Sequence, residues 1–107
     1  DEASVDFPEY AFKLGDAIAK KRVTMGIAIC GTGIGMSIAL NKVRGVYCAK
    51  ISNISEAVLC RQHNNANAIA FSADVSCDLA REMVDKFIET RPLSDSKYIR
   101  RNKWYLS

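Results

Sequence analysis

Two hydrophobic periodicities alternate along this chain. Short and largely apolar runs, typical of strands buried on both faces of a parallel sheet, occupy residues 25–29, 45–50 and 68–71. Segments with apolar residues at helical spacing lie before, between and after these runs. Strands that alternate with helices favour a parallel sheet with right-handed crossovers. The pattern therefore predicts an α/β fold with the element order α-β-α-β-α-β-α.

Capping residues and helix breakers bound the predicted helices. Asp6 is expected to cap the first helix, which has Pro8 just inside it and ends near residue 21. The second spans residues 36–42, and Ser52 or Asn53 caps the third, which ends near residue 62. The longest begins at residue 76 or 77 and stops before Pro92. Its expected apolar face consists of Leu79, Met83, Val84, Phe87 and Ile88. Residues 97–106 fit a helix or an extended segment equally well.

The length and the charge suggest one small domain with a basic tail. A chain of 107 residues is expected to form a single domain, residues 1–107. The net charge is +3, and the positive excess lies at Lys97, Arg100, Arg101 and Lys103. This tail is either a solvated end or a phosphate clamp, because the chain lacks the basic helix face and interleaved aromatic residues of a nucleic-acid binder. Trp104 suggests that residues 93–107 pack on a partner subunit.

The four cysteines, at positions 30, 48, 60 and 77, have none of the close spacings of a zinc site or a redox dithiol. Cys48, Cys60 and Cys77 are interpreted as small buried apolar residues. The sequence shows neither a signal peptide nor an apolar run long enough to cross a membrane. We therefore expect reduced thiols in a cytoplasmic protein with no membrane partner.

Candidate chemistry concentrates where the first predicted strand ends. The strand stops at Cys30, and the glycine-rich turn Gly31-Thr32-Gly33-Ile34-Gly35 follows at once, before a helix. Backbone N–H groups at a helix N-terminus favour negative charge and lower the pKa of a nearby thiol. Cys30 is therefore a candidate base for a reaction in which a proton leaves carbon and an oxyanion develops. The alternative is a core cysteine that closes a strand.

His63 is the only histidine, and it lies in a polar cluster at residues 61–67 between a predicted helix and a predicted strand. Histidine is the side chain whose unperturbed pKa lies near neutrality, and functional residues gather in loops. A lone histidine is nevertheless more often structural than catalytic. Within the same cluster, Asn64 is assigned to the site and Asn67 to a structural role.

Three stretches resemble the family of type B ribose-5-phosphate isomerases and galactose-6-phosphate isomerase subunits. Residues 4–11 read SVDFPEYA, residues 29–39 read ICGTGIGMSIA, and residues 61–71 read RQHNNANAIAF. The similarity covers most of the chain. It implies a Rossmann-like three-layer α/β/α fold and a homodimer, or higher homo-oligomer, whose active sites are shared between subunits.

The same resemblance implies aldose–ketose isomerisation of a phosphorylated sugar through an enediolate, with no metal and no organic cofactor. The simplest substrate pair is ribose 5-phosphate and ribulose 5-phosphate. Cys30 would be the base that moves a proton between carbons 1 and 2. The amides of Gly31, Gly33, Ile34 and Gly35 would form the anion hole for the enediolate, with Thr32 assisting.

On the same resemblance, His63 would help to open the sugar ring and Asn64 would bind the substrate. Lys97 and Arg101 would bind its phosphate. The thiol, the oxyanion site and the basic groups are then expected at one rim, formed by the carboxyl ends of the strands.

The chain departs from the family pattern in four places. About forty residues at the front, with a strand, a helix and a second strand, have no counterpart here, so an exposed apolar sheet edge is expected. Asp74 and Lys97 stand where the family has arginines, and Ser72 stands where it has glycine. Two alternatives therefore remain: a non-catalytic or partner subunit of the family, and a galactose-6-phosphate isomerase subunit.

Overall fold

A computed structural model describes residues 7–106, and the side chains of residues 8–105. The helices and strands, in chain order, are α1 (Phe7–Ala19), β1 (Gly26–Cys30), α2 (Ile34–Asn41), β2 (Cys48–Lys50), α3 (Ile54–Gln62), β3 (Ala68–Ser72), α4 (Cys77–Glu89) and α5 (Ser96–Asn102). A 3₁₀ helix, Lys103–Leu106, follows α5. The predicted element order is confirmed, and the basic tail is helical. The expected N-cap at Asp6 lies outside the described residues.

The three strands form a parallel sheet in the order β1-β3-β2. β3 is central, and its side chains alternate between two cores. Ala68 and Ala70 face a core with α1 and α2, whereas Ile69 and Phe71 face a core with α3 and α4. The small residues on one face and the large ones on the other set how closely each helix pair approaches the sheet. The result is the expected three-layer α/β/α arrangement.

β2 is shorter than the predicted strand over residues 45–50. Gly45 adopts a positive φ of 91°, which turns the chain before the strand can begin. Asn67 then holds this turn, because its side chain accepts from the Tyr47 N–H at 2.8 Å and donates to the Gly45 carbonyl at 2.9 Å. These bonds are consistent with the structural role assigned to Asn67.

The two edges of the sheet differ. On the outer side of β2, the Asn41 carboxamide accepts from the Cys48 N–H at 2.7 Å and donates to the Cys48 carbonyl at 2.9 Å. At the opposite edge, β1 pairs only with β3 among the strands that the structure describes. Ile27 and Ile29 of β1 are exposed, Ile29 to 56%. An exposed apolar edge was expected at this position.

Two side chains expected in the interior, Cys77 and Ile88, are exposed. Cys77 is the first residue of α4, where a helix end projects beyond the core, so its assignment as a buried residue is wrong. Ile88 lies one position past Phe87 and so outside the buried stripe of Met83 and Phe87. Cys48 is half-buried and Cys60 is buried; burial raises the pKa of each thiol to about 11. Within residues 7–106, no helix is long and apolar enough to cross a membrane.

Candidate active site

The Cys30 thiol lies at the carboxyl end of β1, where the chain turns into α2. The Gly33 N–H donates to Cys30 Sγ at 3.1 Å. α2 begins at Ile34, two residues before the predicted start, with Gly33 as its N-cap. Gly35 therefore lies in the first helical turn, where backbone N–H groups have no partner within the helix. The thiol and these amides occupy one turn of chain.

The environment of Cys30 favours its thiolate. Burial raises the pKa of the thiol, but hydrogen bonding from the backbone N–H groups of Met36, Gly33 and Thr32 outweighs burial, and the pKa is lowered from its ordinary value. Cys48 and Cys60 shift in the opposite direction. Since the thiolate is the basic form, Cys30 is better suited to act as a base than either of these two cysteines.

The glycine-rich turn is fixed against the end of β3. Gly33 has φ 83°, and a Cβ on it would lie 2.9–3.1 Å from backbone atoms of Phe71. Ser72 Oγ donates to the Gly31 carbonyl at 2.8 Å and accepts from the Asp74 N–H at 3.0 Å. Thr32 Oγ1 accepts from the Ile34 N–H at 3.1 Å, so its hydroxyl is directed at the start of α2.

His63 is the C-cap of α3, and α5 packs against it. The His63 N–H donates to the Leu59 carbonyl at 2.8 Å, and the His63 carbonyl accepts from Asn102 Nδ2 at 3.0 Å. The imidazole stacks on the Tyr98 ring with centroids 4.4 Å apart and an interplanar angle of 11°. His63 is half-buried. Its backbone and its ring are therefore both held by residues of α5.

Lys97 and Arg101 are one helical turn apart on α5, so their side chains share a face of that helix. Both are exposed. Lys97 Nζ lies 5.0 Å from the centroid of the Tyr98 ring, the same ring that stacks on His63. The structure thus brings the candidate phosphate-binding residues into the neighbourhood of His63.

Asn64 joins the same group through the tail. Its Nδ2 donates to the Tyr105 hydroxyl at 2.8 Å, and the Tyr105 ring lies 5.5 Å from that of Tyr47. The two tyrosines and Asn64 line a cavity of about 350 Å³ against the outer side of β2. The tail therefore packs on its own chain; its packing on a partner subunit stays a prediction.

His63 and Cys30 lie at opposite ends of the sheet. The N–H of Gly26, at the start of β1, donates to the carbonyl of Asn67, in the segment that follows His63. Cys30 instead closes β1 and pairs with Ser72 at the far end of β3. Four residue steps of strand separate these levels, about 13 Å. The expectation that the thiol and the basic groups share one rim is therefore wrong within one protomer.

We call Cys30 with the turn 31–35 the thiol half-site, and His63, Asn64, Lys97 and Arg101 the basic half-site. Asp74 is exposed and follows the carboxyl end of β3, at the level of the thiol half-site. No group of three or more histidine, cysteine, aspartate or glutamate side chains within the described residues could hold a metal ion.

Arg61 anchors the loop of the basic half-site, a role that sequence reasoning missed. Its guanidinium is buried and donates to the carbonyls of Thr90 and Ala66 and to the side chain of Asn65. Asn65 adopts a positive φ of 50°. The buried cation thus ties the end of α4 to the loop after His63. The sequence signal that could have indicated this role is an arginine that lies shortly before several turn-forming asparagines, in the stretch 61–67.

Replacing Arg61 by methionine is expected to lower the free energy of unfolding by about 3 kcal/mol, because buried carbonyls lose charged donors while an unbranched apolar stem is kept. Urea denaturation measures the change. The matched control is Arg81→Met on the exposed side of α4, which should stay within about 0.5 kcal/mol of the parent. Equal effects of the two substitutions would contradict the anchoring role.

Comparison with known proteins identifies the fold and its family. The family model described as "Ribose/Galactose Isomerase" matches residues 1–103. The chain is 43% identical over 88 residues to the putative sugar phosphate isomerase YwlF of Bacillus subtilis, covering 81% of this chain and 59% of that protein. It is 44% identical over 84 residues to ribose-5-phosphate isomerase B of Escherichia coli, covering 78% and 56%. The chain thus spans less than two thirds of the length of these relatives.

Solved structures agree with the sequence comparison. Type B ribose 5-phosphate isomerase of Leishmania infantum superposes with a TM-score of 0.93 at 38% identity, over 99% of this chain and 70% of that one. Ribose-5-phosphate isomerase B of Mycoplasma genitalium, solved with bound ribulose-5-phosphate, gives 0.90 at 34%, over 98% and 70%. The Rossmann-like fold is confirmed, and the chain belongs to the ribose/galactose isomerase family.

Proposed function

We propose that this chain carries the catalytic apparatus of an aldose–ketose isomerase acting on a phosphorylated sugar, in the first instance ribose 5-phosphate and ribulose 5-phosphate. The observation that carries the proposal is the thiol half-site, in which the Gly33 N–H donates to Cys30 Sγ at the N-terminus of α2. A thiolate base beside the backbone N–H groups of a helix N-terminus is what proton abstraction next to a carbonyl requires.

In the forward direction, the Cys30 thiolate removes the proton from C2 of the open-chain aldose. The C–H electron pair forms the C1–C2 double bond, and the carbonyl pair moves to O1, which becomes the enediolate oxyanion. Amides of the turn 31–35 and the first turn of α2 stabilise this charge. The thiol then returns the proton to C1, and the O2 hydroxyl proton is transferred to O1, which gives the ketose.

The basic half-site supplies the remaining functions. His63 would transfer protons between the ring oxygen and the anomeric hydroxyl when the cyclic sugar opens. Lys97 and Arg101 would bind the phosphate through charge-assisted hydrogen bonds, and Asn64 would contact the sugar hydroxyls. The Asp74 carboxylate lies at the level of the thiol half-site, where it would repel a phosphate group. Binding of the phosphate at the basic half-site, at the opposite end of the protomer, avoids this repulsion.

Since the two half-sites lie at opposite ends of one protomer, we propose that a complete site forms between two copies of the chain. A two-fold axis places the thiol half-site of one copy against the basic half-site of the other, and generates two such sites. Ile34 and Ile38, on the outer face of α2 beside the thiol half-site, are 53% and 58% exposed. Burial of such side chains would stabilise the dimer.

Mixing two inactive variants tests both proposals. Cys30→Ala removes the base and His63→Asn removes the acid–base group of ring opening, so each homodimer should have little activity on the cyclic substrate. When the two variants are refolded together, random pairing gives mixed dimers with one intact site, and about a quarter of the wild-type activity should return.

Failure to recover activity would show that each site is built within one protomer. A wild-type chain without isomerase activity on ribose 5-phosphate or galactose 6-phosphate would support the non-catalytic alternative. Activity on galactose 6-phosphate alone would assign the chain to the other branch of the family.

A further inference from the structure

The Tyr98 ring links two residues of the basic half-site, His63 and Lys97. The Tyr98 ring stacks on the His63 imidazole at 4.4 Å between centroids, and Lys97 Nζ lies 5.0 Å from the same ring. Tyr98 is half-buried, whereas its neighbours Lys97 and Ile99 are exposed. α5 therefore turns the Tyr98 ring towards His63, and Lys97 lies on the same ring.

The stack on Tyr98 restricts the orientation of the His63 imidazole, which the backbone hydrogen bonds do not fix. The main chain of His63 is fixed at both polar groups, by the Leu59 carbonyl and by Asn102 Nδ2. Only the two side-chain torsions remain to set the direction of the imidazole. A face-to-face contact limits both torsions, and it leaves the two ring nitrogens, which lie in the ring plane, available for proton transfer.

We propose that Tyr98 is a positioning residue that holds the imidazole of His63 in the orientation required for ring opening. The catalytic consequence of this inference rests on the proposed isomerase function. The contact between Tyr98 and His63 rests on the geometry alone. Misplacement of a catalytic group by about 1 Å lowers rates up to a hundredfold.

The test compares Tyr98→Phe, which keeps the stack, with Tyr98→Leu, which removes it. His63 is the only histidine, so the imidazole protons in the NMR spectrum of the full chain report this site alone. The ring current of Tyr98 should shift them upfield in the parent and in Tyr98→Phe, and the shift should disappear in Tyr98→Leu. The control is Tyr10→Leu, at an exposed tyrosine of α1 whose ring has Lys13 Nζ at 5.7 Å.

Kinetics separate positioning from a general structural effect. Tyr98→Leu should lower kcat for the cyclic substrate about tenfold, spare an open-chain analogue, and have no further effect in the His63→Asn background. Tyr98→Phe, which keeps the stacked ring, should have the same kcat as the parent. An equal loss in the His63→Asn background would overturn the positioning role.

The spectrum decides the contact independently of catalysis. An imidazole without an upfield shift in the parent chain would overturn the proposal, even if Tyr98→Leu failed to fold. A shifted imidazole in a chain with no isomerase activity would instead retain the contact and refute the proposed function.

Discussion

Replacing Cys30 by alanine is expected to lower kcat by about a thousandfold, with little change in thermal stability. A positioned general base contributes roughly 10²- to 10⁴-fold to a proton transfer, and the reaction has no other base in the thiol half-site of the described chain. Cys30 is half-buried at the surface of the turn, so its truncation leaves no large internal cavity. Steady-state kinetics and circular dichroism melting measure the two effects.

The matched control for Cys30 is Cys77→Ala. Cys77 is exposed in the first turn of α4, whose capping bond comes from Ser76, so this variant should keep the parental rate. The proposed base acts as a thiolate and the pKa of Cys30 is lowered, so kcat/KM should rise with pH and level off below the ordinary thiol range. A Cys30→Ala enzyme with unchanged turnover would eliminate the proposed base.

Gly33→Ala is expected to destabilise the chain by about 3 kcal/mol and to abolish activity. The φ of 83° belongs to the left-handed region, which costs a residue with a Cβ about 1–2 kcal/mol. The added methyl would also lie 2.9 Å from Phe71 Cα, a backbone atom of the central strand that cannot rotate away. Relief requires a shift of the turn that holds the Gly33 N–H on Cys30 Sγ.

Gly31→Ala is the control, in the same turn. A Cβ at Gly31 meets no atom within 4 Å, so the loss of stability should stay below about 1 kcal/mol. Chemical denaturation of the Gly33→Ala and Gly31→Ala variants measures the two losses of stability. Similar midpoints would show that the contact between Gly33 and β3 relaxes without cost.

Much of the fold could be predicted from the pattern because burial on both faces gives a strand an unambiguous apolar run. β3 is the best case: its four leading residues are all buried, and the prediction missed only Ser72. β2 was predicted too long because its limit is set by Asn67, twenty residues away from Tyr47. Long-range bonds of this kind leave no local pattern.

The candidate site could be predicted only in part. The thiol half-site is contiguous in sequence, so the residues that contact one another, from Cys30 to Gly35, could be read together. The basic half-site is assembled from segments about 35 residues apart, and the contacts of Tyr98 and Tyr105 with His63 and Asn64 depend on where α5 folds back. The opposite placement of the two halves followed from the predicted topology, because a helix that connects two parallel strands ends at the edge where the next strand begins. The expectation of a single rim overlooked this consequence for α3.

The Asn41 carboxamide determines at which edge of the sheet another strand can pair. By bonding both polar groups of Cys48, it occupies the positions that an incoming strand would use, and β2 is closed to further pairing there. Within the described residues, the outer edge of β1 pairs with no other strand, and its side chains Ile27 and Ile29 are exposed. An additional strand can therefore pair with this sheet only along β1, the strand that ends at Cys30.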